Sequence, residues 1–552
     1  FPRPSNPYGG TTYNNAYLGL NDNQHTNVTL RSSRRNVLFY NPSVTYHPWR
    51  KADGSSYPNV DPESAPYDPA ERNNCKINLK AGKMTGSDCA SRTTLSTPIT
   101  FYVYVGSGDE TNRTNYVRYQ YRSNVIYQWK VGADENTEKA LTTMPWGRSV
   151  ADEVQNFANW FSYHRSRILA TQAGVTRAFA ELGENYRVGF CTINTCKSSS
   201  ATPTVPIPHG KFTGSNKADF FKQVIEVKIP MQGTPLRGAL DWAGQYYTKE
   251  EDSGPWGPKV TVQGKQKQLS CRQSFTILTT DGYWTDDFSG AGNADNESGS
   301  KIESPDGKKT YTYQAKAPFK DDYSNTLADV AMKYWKEDLR TDLPNDVPAA
   351  SSNLDVCNAN SLDPTFPDPA FWQHMTTFTL SLGVSGTLPR TPETVAKLCN
   401  GTQSWTDPTS ANEKKIDDLW HAAVNGHGKF FAAQNPDEFA DGLKEALGAI
   451  STLVSSASNV AVNSNRIDSN TLTFYARYYP GDWYGELLAY PVTTDGVGKT
   501  PKWSASIPAA SSRKIFTSNS SNGGISFDWG SLTQAQKTAL GSQTDAIKQD
   551  IV

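Results

Sequence analysis

Long apolar runs are missing from this chain. The longest candidates are short pieces such as Val37 to Tyr40, far below the roughly 20 residues that cross a bilayer, so no membrane span is expected. An excess of either charge is missing too: 54 Lys+Arg against 55 Asp+Glu leave a formal charge of −1, and nothing in the bulk charge draws the chain toward nucleic acid. A Gly-x-Ser-x-Gly elbow, a phosphate-cradling P-loop and a dinucleotide glycine fingerprint are all absent, so the hydrolase, nucleotide-binding and dehydrogenase classes lack their local signals. What is present is an ordinary globular composition, 36% hydrophobic with 41 glycines, in 552 residues, long enough for several cores.

Seven cysteines are spaced as three close sets and one left over. Cys75 with Cys89, Cys191 with Cys196, and Cys357 with Cys399 read as disulfides of an exported protein. A metal knuckle at Cys191 and Cys196 needs two further soft ligands, and the neighbourhood offers only His209. Cys271 has no obvious mate. The first residue is Phe1 and no charged, apolar, small-residue leader follows it, which reads as a removed signal or an internal start.

Periodicity divides the chain into three. Residues 1–148 are rich in Asn, Ser, Tyr, Pro and Arg, with short alternating runs at 99–105 and 116–122 that predict a small β region among long loops. From 149 to 455, helical patterns at 152–182, 217–225, 327–339, 416–424 and 436–450 alternate with strand-like runs at 186–190, 274–280, 376–382 and 429–432. That alternation predicts an α/β fold with a doubly wound, mostly parallel sheet. Residues 456–552 are β-rich, with a hairpin turning at 480–482, and end in a helical pattern at 533–551.

Ligands of such sheets gather at the carboxyl ends of strands. Asp281 follows the run 274–280 and precedes Gly282; Thr234 precedes Pro235 at a predicted helix start. Asn293-Ala-Asp-Asn-Glu-Ser-Gly299 alternates oxygen-bearing side chains like a calcium loop, but its glycine and closing acid are out of register, and it reads as a solvated loop. His421 and His427 are six apart, not the four of paired zinc ligands on a helix, and read as ordinary.

Thr234 and Asp281, in this order of helices and strands, resemble two of the three cation-binding elements of the von Willebrand factor A fold; the third, an Asp-x-Ser-x-Ser loop, does not occur ahead of the first helix. Six ordered segments resemble the PilC/PilY class of type IV pilus tip adhesins: Tyr40-Asn-Pro-Ser-Val-Thr-Tyr46, 155–163, Gly233-Thr-Pro-Leu-Arg237, 279–284, 326–335 and 416–425. Residues 474–487 are similar to the entry into that class's C-terminal β-propeller, and the missing acidic loop suggests a chain shortened at its N-terminus. The resemblance implies a von Willebrand factor A-like domain with large insertions and an incomplete Mg²⁺ or Ca²⁺ site at Thr234 and Asp281. It further implies a non-enzymatic adhesin and biogenesis factor, exported to the pilus tip, that binds minor pilins and a host-cell receptor or surface. A tension-sensing or assembly-priming component is the alternative, and an accessory part of a metal-dependent enzyme a third reading.

Overall fold

The computed structural model describes residues 25–454 except 71–73, 88–98, 209, 228–231, 263–264 and 350–367, and beyond them 461–462, 472–479, 484–493, 496–497, 501–505, 516–519, 523–527 and 529–539. Cys89, His209, Cys357, the turn at 480–482 and the end of the last predicted helix lie outside the described residues. The chain forms two compact units, Phe1–Val454 and Ser455–Val552.

In the first unit, β1 (Thr100–Tyr104), β2 (Tyr116–Arg122), β3 (Val125–Lys130) and β4 (Lys139–Leu141) make an antiparallel meander in sequence order. Its inner face packs Phe101, Tyr119 and Ile126 against α1 (Val150–Tyr163), where Phe157 and Trp160 meet Tyr40 and Phe39. Helix α1 starts because the Ser149 side chain accepts the Asp152 N–H, and Asp152 and Glu153 lie in its first turn, where the helix dipole favours acids. Then follow α2 (Arg167–Ala180), α3 (Gly214–Glu226) and α4 (Leu236–Tyr247). Strand β5 (Phe275–Thr280), α5 (Leu327–Lys336), β6 (Thr376–Leu382), α6 (Pro392–Cys399), α7 (Lys414–Asn425), β7 (His427–Ala433) and α8 (Pro436–Val454) complete the unit.

Strands β5, β6 and β7 form a parallel sheet in that order. All seven residues of β6 are buried, as expected for a central strand covered on both faces. Phe378, Leu380 and Leu382 enter one core with Phe439 and Leu443 of α8 and Phe220 of α3, while Leu278 and Phe430 enter the other with Leu327 and Val330 of α5 and Leu419 of α7.

The expected doubly wound, mostly parallel von Willebrand factor A-like sheet is not what forms. Parallel pairing stops at three strands, and the other described sheets are small and antiparallel. The reason lies at 186–190, which was expected to extend the sheet. Its backbone bonds go elsewhere: Phe190 and Val205 exchange N–H···O bonds of 2.8 Å, and Phe212 N–H reaches Tyr186 O at 2.8 Å. With those groups committed to the 205–212 segment, the run makes an isolated antiparallel bridge. The architecture is therefore mixed α/β, with several small, mostly antiparallel sheets.

In the second unit, the strand Leu472–Tyr479 pairs antiparallel with Tyr484–Thr493, which also pairs with Trp503–Ser504; a separate hairpin joins Phe516–Asn519 to Gly523–Ser526.

Helix α4 packs on α5 through a glycine. A Cβ on Gly244 would lie 2.2 Å from the Tyr334 ring, which is buried and held by its hydroxyl donating to Asp241 Oδ1 at 2.8 Å. Gly244→Val is expected to cost about 2 kcal/mol or more, read as a lowered thermal midpoint by circular dichroism, because overpacking a closed core displaces backbone. Gly183→Ala, which meets nothing within 4 Å, leaves the midpoint in place.

Candidate functional site

Thr234 and Asp281 are brought to adjoining loops at the carboxyl end of β5. The Thr234 N–H donates to Thr285 Oγ1 at 2.8 Å, Thr285 N–H returns to Thr234 O at 3.0 Å, and Thr234 Oγ1 lies 3.9 Å from where a Cβ on Gly282 would stand. The Asp281 carboxylate faces Arg167, at the start of α2, with Nη1 to Oδ2 at 3.0 Å. Both partners are partly exposed, so this is a solvent-facing rim in which a guanidinium already shares the carboxylate expected to hold a cation.

Behind the rim is a dense set of buried acids. Arg237 stacks on Trp284 at 3.8 Å, and Lys415 lies over the same ring at 4.4 Å. The Trp284 indole donates to Asp418 Oδ2 at 3.0 Å. Asp418 also accepts the Leu327 and Ala328 N–H groups at 3.0 and 3.1 Å, closing the N-terminus of α5 from another helix. Thr326 and Asp329 add a capping box there. Burial raises the Asp418 and Asp329 carboxyls to about 6 against the pull of these donors.

Beside this cap, Asp295, Asp321 and His421 converge, with one potential ligand atom from each within 4.8 Å of the others. All three are buried. Asp295 Oδ1 accepts Asp321 N–H at 3.0 Å and Oδ2 accepts Asn425 Nδ2–H at 2.9 Å. His421 Nε2 lies 2.5 Å from Phe319 O, and Nδ1 lies 3.4 Å from Asp321 Oδ2. Trp405 stacks on the imidazole at 4.2 Å. Burial pushes Asp295 up to about 8, with the Asp321 and Asp329 charges adding to it. For His421 burial works against the charged form, but the Asp321 hydrogen bond and the Asp295 charge outweigh it and hold the imidazole above its ordinary value. The cluster is an incomplete Asp/Asp/His set able to coordinate a divalent cation.

This differs from the sequence reading. The 293–299 stretch is no plain solvated loop, since Asp295 is wholly buried, and His421 is not ordinary. The calcium-like alternation did draw attention to Asp295, but nothing local connects it to a histidine on α7. A second buried pair, His374 Nε2 and Asp368 Oδ2 at 2.8 Å, went unnoticed in the sequence.

Cys191 and Cys196 are joined, S–S 1.96 Å. Cys75 and Cys399 are each engaged in a disulfide of their own. Cys271 is a half-buried free thiol, raised by burial. Among the described residues, no helix is long and apolar enough to cross a membrane.

The segments that carried the resemblance thus meet one another in space, and the chain aligns at 35% identity over 425 residues, 72% of its length, with the "Type IV pilus biogenesis factor PilY1" of Pseudomonas aeruginosa strain PAK. The chain is a homologue of the PilY1 family. The strain UCBPP-PA14 protein of the same name is 30% identical over 544 residues, 92% of this chain, and a PilY1 homologue of Xylella fastidiosa is 31% identical over 103 residues, 17% of this chain and 8% of that protein. The chain covers 36% of the PAK PilY1 and 44% of the UCBPP-PA14 PilY1, so it spans less than half of these two relatives. No protein-family model and no solved structure matches it.

Two outcomes are expected. Asp418→Ala leaves an indole N–H and two helix N–H groups unpaired in the core, and should lower stability by about 3 kcal/mol in urea titration; Asp418→Asn, which keeps an acceptor oxygen, should lose less. For His374, burial opposes the charge but Asp368 raises its native pKa; burial likewise opposes the Asp368 charge, but His374 draws that carboxyl well below its ordinary range. The His374 contribution is full below its unfolded value of about 6.5 and is lost as pH rises through the raised native value; that of Asp368 is present above about 3.9 and is lost as pH falls. Stability should therefore decline as pH is raised above about 6.5 and through the raised native value of His374, and His374→Gln should flatten that slope.

Proposed function

We propose that this chain works without covalent chemistry in type IV pilus biogenesis and as an exported, tip-associated adhesin, touching minor pilins and a host or abiotic surface. The observation that carries the reading is the alignment with PilY1 proteins across 72% and 92% of the chain, named in both cases as pilus biogenesis factors. Support comes from the layout: a buried clamp of helices and a three-stranded sheet hold long connections, and recognition concentrates on loops set on a rigid scaffold. The disulfide at Cys191 and Cys196 agrees with export. We assign contact with partners to the rim around Arg167, Asp281 and Thr234, where charged and hydroxyl groups reach solvent, and residues 456–552 to the beginning of a β-propeller.

The test is genetic. Cells that lose the protein should lose most surface pili by electron microscopy, and cells carrying Arg167→Glu should keep their pili while attaching several-fold less to surfaces. Normal piliation in the null strain overturns the biogenesis role, and unchanged attachment in the Arg167→Glu strain overturns the rim as the contact surface.

A further inference from the structure

We propose that Asp295, Asp321 and His421 bind one buried divalent cation of the nitrogen-accepting kind, Zn²⁺, that fastens the 295–321 segment to helix α7. The three residues come from three stretches of chain: Asp295 and Asp321 bracket an insertion containing the small hairpin Ile302–Glu303 with Thr310–Tyr311, and His421 projects from the middle of α7. The site joins an excursion of the chain to the scaffold.

The histidine gives the argument independent of the acids. Its Nε2 is directed at a backbone carbonyl, Phe319 O, at 2.5 Å, and a carbonyl can only accept. A proton therefore sits on Nε2, and Nδ1 is turned toward Asp321 Oδ2 at 3.4 Å, a separation filled either by a second proton, which makes the imidazolium, or by a metal ion in its place; Asp295 Oδ2 lies 3.7 Å from Nε2. A metal-ligating imidazole characteristically donates its other ring N–H to a carbonyl or carboxylate, which is the arrangement at His421. Donors about 2.1 Å from a tetrahedral metal stand about 3.4 Å apart, matching the Nδ1 to Oδ2 separation. Trp405, stacked on the ring at an interplanar angle of 13°, holds its plane.

A further observation points to a fourth position. Asn425 is wholly buried and directs its amide into the cluster, yet its Oδ1 has no hydrogen-bond partner. A half-turn of that amide presents the oxygen beside Asp295 Oδ2 and gives up the Nδ2–H bonds to Asp295 Oδ2 and Ala328 O, so it accompanies the cation only where the ion takes the place of that proton at Asp295. The surrounding charge also favours a cation: Asp329 and Asp418 lie close by, whereas Lys336 spends its Nζ on the carbonyls of Ala294 and Glu297 rather than on any carboxylate. Two carboxylates, an imidazole and an amide oxygen suit Zn²⁺, whereas Ca²⁺ takes six to eight oxygens and Mg²⁺ prefers to keep its waters.

The experiment uses the whole 552-residue chain, disulfides intact, unfolded in guanidinium with EDTA and refolded with ZnCl₂, CaCl₂, MgCl₂ or no metal. After gel filtration, metal is counted by plasma mass spectrometry and the thermal midpoint is measured. The expected result is about one Zn²⁺ per chain with a midpoint above that of the metal-free sample, the same stoichiometry in Cys271→Ser, and at least a tenfold loss of zinc in Asp321→Asn and His421→Gln. Should either ligand variant fail to fold, Co²⁺ substituted into the unmodified chain provides the second reading: visible bands of a tetrahedral nitrogen and oxygen site support the proposal, and an octahedral aquo-like spectrum overturns it. Less than a tenth of an equivalent of zinc with an unmoved midpoint, retention by both folded ligand variants, loss in Cys271→Ser, or retention of calcium or magnesium in place of zinc each overturns it.

Discussion

A carboxylate shut away from water must be surrounded by donors, and much of the first unit is arranged to provide them for Asp418. Its two oxygens take the indole N–H of Trp284 and the first free N–H groups of α5. Those bonds tie α7, α5 and the loop after β5 to one point. Trp284 is in turn held on its faces by Arg237 from α4 and Lys415 from α7, so the same point reaches a fourth element. Helix α5 then closes on α4 through Gly244, and on the Asp295 loop through the Asn425 amide, which bonds both Asp295 and Ala328 O. A buried charge with one donor missing is costly, so these elements assemble together or poorly.

The six segments that made the sequence recognisable are the two sides of such clamps. Tyr40 to Tyr46 lies against 155–163, where Asn156 holds Tyr46 N–H at 2.7 Å and Val44 O at 2.8 Å, and Glu153 one turn earlier in α1 accepts the Tyr40 hydroxyl at 2.7 Å. The segments 233–237, 279–284, 326–335 and 416–425 meet around Trp284 and Asp418. They read as functional motifs in the sequence, and most of their residues hold the frame here, while Thr234 and Asp281 within them reach the solvent-facing rim.

Local pattern revealed the helices well, because α1, α5 and α7 each carry an apolar stripe, and they form within the patterns at 152–182, 327–339 and 416–424 to within a few residues. The strands at 275–280, 376–382 and 427–433 were legible from apolar runs of the right length. What periodicity does not encode is strand partnership. The run 186–190 has the composition of a sheet strand, but its hydrogen bonds were taken by residues 15 to 26 positions onward. The Asp/Asp/His cluster escaped for a related reason: its members are separated by 26 and 100 residues, and the lone histidine becomes notable only when its ring nitrogens are seen between a carbonyl and a carboxylate.

Helix α1 holds the 40–60 segment through buried rings and, at two asparagines, through main-chain atoms. Asn156 and Asn159 grip Tyr46 N–H and O, Val44 O and Val60 N–H, and none of these contacts consults the side chain of Val44 or Val60. At these points the helix fixes the path of the chain through its backbone, so loss of either asparagine releases several main-chain groups at once, while the buried rings of Tyr40 and Tyr46 anchor the same stretch by packing.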